Sequence, residues 1–475
     1  MRVHNPATNS TQRSSSSPAA SSTPSTKALP PSRSNELATP RQADGFESPA
    51  SRSRQPSKNL LAGELASQPL ATPKPTPGPT PAPATGPISP KDIPAADWTV
   101  FVHLNADNNL EDFGKDDLNE MEAGGGSVAG KLNLIALVDG GKRKDADGWN
   151  TGARLMYVTR DPNNSSKITS REITVDPKSE LGKLIAKGKG EIDSGSPEVL
   201  RAALDYVQRN TQSKHYMVDL WDHGNGWKGV SYDDNPHSSI DMPELQKALS
   251  GLPQKIDVVA ADACLMATVE VADTAKALGA DFLVGSEELE PGTGWDYKDL
   301  LGRMNKLFAG KEPVTAEKMS QAIQESYIAG PRDNVTMSVT NLSKLDGLNG
   351  KLNDFSDALV KAGGLQNTTV RNAYDKALRM DDVDQMDLGD FAKRVSSSTK
   401  DANLKAAADL LVAELGKTTV EKGVKGGDAK YTAATGLTIY APKGNVDAQY
   451  KQAGSAWLNS HWNNVIKTYS ATPRS

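Results

Sequence analysis

Short apolar runs alternate with amphipathic stretches along most of the chain beyond residue 97, and each run ends in a polar or glycine-containing turn. The runs that predict strands of a central sheet are residues 98–106, 131–141, 216–221 and 256–260. Apolar positions at helical spacing fill the intervals, as in residues 196–210, where Ser196 and Pro197 mark a helix start. Strands that alternate with helices predict an α/β fold with a mainly parallel sheet flanked by helices.

The pattern of apolar and polar residues predicts further elements up to the end of the chain. The remaining predicted elements are a hairpin over 153–160 and 170–177, a crossover helix over 242–252, strands at 282–285, 334–342 and 436–442, and helices over 344–365, 369–378, 401–415 and 456–469. From these patterns we predict three regions, namely a disordered tail (1–96), a catalytic core (97–330) and a C-terminal α/β region packed on that core (331–475).

The first 96 residues differ in composition from the rest. They contain 18 of the 29 prolines, abundant Ser, Thr and Ala, and one aromatic residue, Phe46. Such a segment buries too little apolar surface to offset the entropy of ordering it. It is basic although the whole chain has a net charge of −5, so the folded part is acidic. An acidic body without a basic stripe argues against nucleic-acid binding.

No apolar stretch has the length of a Sec signal core or a membrane span, so we expect no contact with a membrane. The start of the chain, rich in Ser and Pro, is compatible with leaderless export, and the compartment stays open. The single cysteine excludes an internal disulfide. Six His and one Cys offer no zinc spacing. We expect a monomer.

The single cysteine, Cys264, follows the apolar run at 256–260. Leu265, Met266, Val269 and Ala272 recur at helical spacing, so we predict that Cys264 lies in the turn between a strand and a helix amino terminus. A helix start favours a thiolate there, and open α/β sheets place their sites at such turns. The alternative is a small buried core cysteine.

His223 occupies an equivalent position, just past the run at 216–221 and 41 residues before Cys264. That interval has room for a return loop and a crossover helix, so the two strands can be neighbours. The pair is then a candidate Cys–His nucleophilic dyad. Asp222 adjoins the histidine but points the other way in extended geometry, and a third, orienting residue is not evident.

Several motifs together resemble the clostripain family of cysteine peptidases, in the caspase-like group. They are ADNNLE (106–111), WDHGNGW (221–227), DACLMATVEV (262–271), EELEPGTGW (287–295) and GLTIYAP (436–442). The resemblance implies a caspase-like α/β sandwich, endopeptidase activity after Arg or Lys, and protein or peptide substrates. It also implies His223 and Cys264 as the dyad and Asp262 in the pocket for the P1 side chain.

Asp262 precedes Cys264 by two residues, so on a strand both side chains lie on one face. Its alternative role is a helix N-cap. We expect the backbone N–H groups of Gly224 and Cys264 to form the oxyanion hole, because a glycine leaves the backbone open to close approach. A silent member of the fold that binds peptides through the same cleft is the competing function.

The chemistry itself needs no cofactor, although calcium is possible by resemblance. Residues 145–150, DADGWN, open like a calcium loop but have Met156 where an EF-hand requires an acidic residue. Relatives are commonly cut by themselves at a basic residue between the His and Cys strands. Here residues 229–242 contain no Lys or Arg. We therefore predict a body active as a single chain, with self-processing at Arg52, Arg54, Lys58 and Lys74 of the tail.

Overall fold

A nine-stranded sheet runs through the centre of the protein. The computed structural model describes residues 86–141, 149, 152–163, 165–426, 429–452 and 460–469. The chain divides into two units, Met1–Thr80 and Pro81–Ser475, and all the described residues belong to the second. The predicted tail therefore lies almost entirely outside the described residues.

The strands and helices follow one another in the alternating order that the apolar pattern predicts. The strands are β1 (Ala96–Ala106), β2 (Leu132–Gly140), β3 (Gly152–Tyr157), β4 (Arg171–Glu172), β5 (Ser213–Trp221), β6 (Val230–Asp233), β7 (Ser238–Ile240), β8 (Val258–Asp262), β9 (Phe282–Gly285), β10 (Val335–Asn341), β11 (Gln385–Asp387), β12 (Thr419–Lys425) and β13 (Thr438–Tyr440). The helices are α1 (Glu111–Ala123), α2 (Glu180–Lys187), α3 (Pro197–Asn210), α4 (Met242–Leu249), α5 (Val269–Ala277), α6 (Tyr297–Ala309), α7 (Ala316–Ala329), α8 (Leu345–Lys361), α9 (Thr368–Lys376), α10 (Leu388–Ser398), α11 (Ala402–Thr418), α12 (Ala429–Thr432), α13 (Ala448–Gln452) and α14 (Trp462–Lys467).

The large sheet has the order β12-β10-β9-β8-β5-β1-β2-β3-β4. Its five central strands are parallel, and antiparallel strands extend it at both edges. The predicted α/β class with a mainly parallel sheet is confirmed. Two small antiparallel pairs, β6–β7 and β11–β13, stand outside this sheet.

Each face of the sheet carries its own apolar core, because successive side chains of a strand point to opposite sides. On β1, Val100 and Val102 pack on one face with residues of α1, α6 and α7. Phe101, between them, packs on the other face with residues of most of the remaining helices. The strands are thus buried on both sides, which explains their nearly continuous apolar runs.

Helix starts follow their local signals. Ser196 caps α3 by accepting from the N–H of Glu198, with Pro197 at the first helical position. The crossover helix α4 begins with a capping box in which Asp241 and Glu244 satisfy each other's backbone N–H groups. Ser196 and Pro197 predicted α3, whereas α4 was predicted as a crossover helix without its cap, and it ends at Leu249, three residues earlier than expected.

Several features differ from the sequence prediction. Strand β10, which was predicted at 334–342, extends the large sheet together with β12, which was not predicted, so the sheet continues across residue 330. Helices α6 and α7, which we did not predict, cover one face. The helix expected over 456–469 is described as α14, which is shorter, and residues 453–459 lie outside the described part. Ordered structure begins ahead of residue 97, because Ile88 bridges to Ile173 and is 2% exposed.

Within the described ranges, no helix combines the length and the apolar character needed to cross a membrane.

Candidate active site

The two turns that carry the candidate dyad lie side by side at one edge of the sheet. Strands β5 and β8 are parallel neighbours, and Trp221 pairs with Asp262 at their carboxyl ends. The N–H of Asp222 donates to the carbonyl of Asp262 across the gap, at 3.3 Å. Because parallel strands end on the same side, the sheet brings the turns of His223 and Cys264 together.

Gly224 lies in direct contact with the cysteine turn. A Cβ atom at this position would be 2.4 Å from the carbonyl oxygen of Cys264 and 3.0 Å from Cβ of Ala263. A side chain therefore does not fit, and glycine allows the close approach. Gly224 and Val230 form an isolated antiparallel β-bridge. The hydrogen bonds of this bridge are donated by the residues that flank them, so the N–H of Gly224 takes no part in it.

The ring of the half-buried His223 is held by an asparagine that precedes α1. Its Nε2 lies 2.7 Å from Oδ1 of Asn109, and an amide oxygen only accepts, so Nε2 donates. This leaves Nδ1 unprotonated in the neutral ring. Burial lowers the pKa of His223, which keeps the imidazole neutral at pH 7.

Asp222 does not orient the ring, in agreement with the sequence prediction. Its carboxylate is buried and accepts from Nδ2 of Asn105 at 3.0 Å and from Nδ2 of Asn108 at 2.7 Å. It also accepts from the N–H of His223 at 2.6 Å. Asp222 thus fixes the backbone of the histidine turn against the loop that follows β1.

Cys264 lies in the turn between β8 and α5, as predicted. It is not at the helix start, however, so the expected stabilisation of a thiolate by the helix is wrong. Helix α5 begins at Val269 with Thr268 as its cap, four residues beyond the cysteine. Leu265 adopts a φ of 65°, which interrupts the helical path, and its N–H donates to the carbonyl of Glu288. The dipole of α5 falls off within its first turn and therefore does not lower the pKa of the thiol.

The half-buried Cys264 packs instead beneath the acidic loop that follows β9. Its Sγ accepts from the N–H of Glu290 at 3.2 Å and lies 3.7 Å from the carbonyl oxygen of the same residue. Burial, the largest cause, and the charges of Glu290, Asp262 and Glu288 together raise the pKa of the thiol to about 12. In this substrate-free geometry the cysteine is a neutral thiol.

Asp262 is buried at the end of β8 and faces the same loop. Its Oδ2 accepts from the N–H of Trp295 at 3.0 Å, and a Cβ at Gly294 would be 2.8 Å from that oxygen. Burial raises the pKa of Asp262 to about 6. The alternative role as a helix cap is excluded, because Thr268 caps α5.

Other polar groups near Asp262 were not found from the sequence. Glu290 hydrogen-bonds with Asp262 through its side chain and accepts from Nε1 of Trp295 at 3.1 Å. Asp117 accepts from Nε1 of Trp221 at 2.7 Å, and Asp219 from the hydroxyl of Tyr297 at 2.8 Å. The motifs at 106–111 and 287–295 marked Asn109 and Glu290 without indicating their roles.

Across the described residues, no group of three or more His, Cys, Asp or Glu side chains is placed to hold a metal ion. The loop 145–150 lies outside them except for Trp149, whose Nε1 donates to Glu111. The possible use of calcium stays a prediction.

Comparisons with known proteins identify the family of the chain and its fold. The model of the clostripain family matches residues 102–469. Clostripain of Hathewaya histolytica is 30% identical over 230 residues, which cover 43% of this chain and 42% of that protein. The matched stretch thus spans less than half the length of that curated relative.

Two solved structures share the fold. A secreted C11 cysteine protease from Bacteroides thetaiotaomicron, in complex with an irreversible peptide inhibitor, aligns with a TM-score of 0.56 and 19% identity over 78% of this chain and 99% of its own. An inactive zymogen C11 protease from Parabacteroides distasonis aligns with a TM-score of 0.53 and 18% identity over 78% and 98%. Because the family model covers most of the chain, the chain belongs to the clostripain family of cysteine peptidases.

Proposed function

We propose that this protein is a cysteine endopeptidase that cleaves after Arg or Lys, with Cys264 as nucleophile and His223 as general acid and base. The observation that carries the proposal is the junction of β5 and β8, where the two turns meet above the buried carboxylate of Asp262. A carboxylate beside the nucleophile suits a basic P1 side chain, which it binds through charge-assisted hydrogen bonds. Glu290 adds a second acidic group to the same pocket.

The proposed reaction has two halves. In the first, Sγ of Cys264 bonds to the scissile carbonyl carbon, and the thiol proton passes to Nδ1 of His223. The C–N bond then breaks, and the imidazolium returns that proton to the leaving amine. In the second half, water passes a proton to Nδ1 of His223 as its oxygen bonds to the thioester carbon. The C–S bond then breaks, the carboxylic acid leaves, and the imidazolium returns the proton to Sγ of Cys264. Asn109 holds Nε2 throughout, so the same ring nitrogen takes and returns the proton.

The oxyanion formed in each half needs donors that are already in position. The backbone N–H groups of Gly224 and Cys264 are our candidates, because the two turns are in van der Waals contact. The carbonyl and N–H of Glu290, which contact Sγ in the free enzyme, must move away before the attack. We therefore expect the loop that follows β9 to shift when substrate binds.

Hydrolysis of fluorogenic peptides tests the proposal. Wild type should release the reporter after Arg or Lys, and Cys264→Ala should be inactive. Asp262→Ala should lose cleavage after Arg, while Cys264 still reacts with an unselective thiol reagent. Unchanged activity in Cys264→Ala would exclude a cysteine peptidase, and retained Arg preference in Asp262→Ala would remove Asp262 from the pocket.

The competing function is a silent member of the fold that binds peptides in the same cleft. The presence of His223, Cys264 and Asp262 together favours the enzyme, since binding alone requires no such set. Peptide binding without turnover by the wild-type protein would support the binder. The chemistry requires no cofactor, and a chelator titration of the activity tests whether calcium contributes.

A further inference from the structure

Arg332 lies next to the acidic pocket, in the short segment that joins α7 to β10. Its Nε donates to the hydroxyl of Thr293 at 3.2 Å, and its Nη2 donates to the carbonyl of Thr293 at 3.1 Å. Thr293 directly precedes Gly294, which packs against the carboxylates of Asp262 and Asp117. The guanidinium is thus anchored to the loop that covers Asp262.

Polar groups around this pocket lack partners. Oε1 of Glu290, the hydroxyl of Tyr327 and Nη1 of Arg332 are buried without a hydrogen bond to any described residue. Tyr327 is only 1% exposed, and its ring lies 5.5 Å from Cζ of Arg332. Buried polar atoms are normally paired, so these three atoms are free to hydrogen-bond with a polar ligand that reaches them.

The charge of Arg332 acts on the carboxylates of the pocket. Burial raises the pKa of Asp262 to about 6, and the nearby guanidinium opposes that rise. Burial likewise raises the pKa values of Glu290 and Asp117, and Arg332 opposes both shifts. Arg332 is therefore close enough to stabilise the charged form of these carboxylates. A basic P1 side chain of a substrate would act on the same groups.

We propose that Arg332 is the resident cation of the P1 pocket, and that a basic P1 side chain must compete with it for Asp262 and Glu290. Arg332 is thus a specificity-determining residue that does not touch the reacting atoms. It weakens binding of every basic P1 side chain, because two positive charges share one acidic pocket. This inference rests on the proposed function, since it takes Asp262 as the acidic group of the P1 pocket.

Steady-state kinetics on Arg-ended fluorogenic peptides test the competition. Arg332→Gln should lower KM about five- to tenfold by removing a like charge at short range, with kcat changed less than about twofold. Arg332→Lys keeps the charge and should retain the wild-type KM. Thr293→Val removes one contact to the guanidinium without a change of charge, and it should also retain the wild-type KM.

A binding measurement gives a readout that needs no turnover. Benzamidine is a small cation that mimics a P1 arginine, and its Kd can be measured by calorimetry on Cys264→Ala. Adding Arg332→Gln should tighten that Kd about five- to tenfold. If Arg332→Gln does not fold, Arg332→Met keeps the stem against Tyr327 and serves in its place.

The outcomes separate the two proposals. An unchanged or raised KM in Arg332→Gln, or the same loss of kcat in Arg332→Gln and Thr293→Val, would make Arg332 a support of the loop and would overturn the competition. Cleavage after Arg by Asp262→Ala would instead refute the pocket of the proposed function. Loss of that cleavage in Asp262→Ala, together with unchanged benzamidine affinity in Arg332→Gln, would refute the role of Arg332 alone.

Discussion

At the scale of single residues, Asn109 is the group that decides how His223 can work. Its Oδ1 fixes Nε2 of the imidazole, so the proton needed for catalysis is exchanged at Nδ1. We expect Asn109→Ala to lower kcat about 100-fold with little change in KM, because the ring then loses its fixed tautomer and orientation. Asn109→Asp should restore part of the activity and raise the pKa of His223, since a carboxylate stabilises the imidazolium.

Steady-state kinetics over a pH series check both variants. The midpoint that reports His223 in the profile of kcat/KM should move to higher pH in Asn109→Asp. The matched control is Asn163→Ala, which removes an amide far from the site along the chain and should leave kcat unchanged. A wild-type kcat in Asn109→Ala would show that the 2.7 Å contact has no part in catalysis.

At the scale of elements, the helix behind the cysteine is tied to the C-terminal region by a buried acid. Glu270 of α5 accepts from the N–H of Tyr440 at 3.0 Å and from the hydroxyl of Tyr450 at 3.1 Å. Burial raises its pKa to about 7. Because the folded protein holds this proton more tightly than the unfolded chain, Glu270 stabilises the fold at low pH, and that stability is lost as the pH rises towards 7.

Glu270→Gln removes the titration and keeps an oxygen that accepts from both tyrosines. The free energy of unfolding should therefore fall less between pH 5 and pH 8 in Glu270→Gln than in the protein with Glu270, by up to about 3 kcal/mol. Urea denaturation at the two pH values, in the Cys264→Ala background, measures this difference. Glu312 is exposed, and Glu312→Gln is the control. An identical pH dependence in Glu270→Gln would show that this acid does not keep its proton in the folded state.

At the scale of the whole molecule, the part of the connection between the catalytic strands that runs from β6 to α4 is well packed, and residues 229–242 contain no Lys or Arg. The strands β6 and β7 pair, Val230 and Ile240 are fully buried, and a capping box starts α4. Lys228 forms an ion pair with Asp382 at 2.8 Å, and Lys247 lies within α4. A protease would have to unfold these elements before cutting at Lys228 or Lys247. Lys255, in the turn before β8, is exposed and forms an ion pair with Asp281 at 2.6 Å.

We therefore expect a single-chain body that is active without cleavage between β5 and β8, with self-processing confined to the first 96 residues. The expected sites are Arg52, Arg54, Lys58 and Lys74. Intact-mass and N-terminal analysis of the purified wild type and of Cys264→Ala locate any cleavage. A break between residues 228 and 264 that depends on Cys264 would contradict the prediction.

The sequence by itself determined the α/β class with its mainly parallel sheet, and the adjacency of the strands that carry His223 and Cys264. Both follow from local patterns, because an apolar run that ends in a polar turn specifies a buried strand and its edge, and a crossover helix specifies a parallel neighbour. Only the tertiary structure decided what surrounds the two side chains. Asn109 reaches His223 across 114 residues, and Glu290 reaches Cys264 across 26. Such contacts depend on how loops from different strands meet at the sheet edge, which no local periodicity encodes.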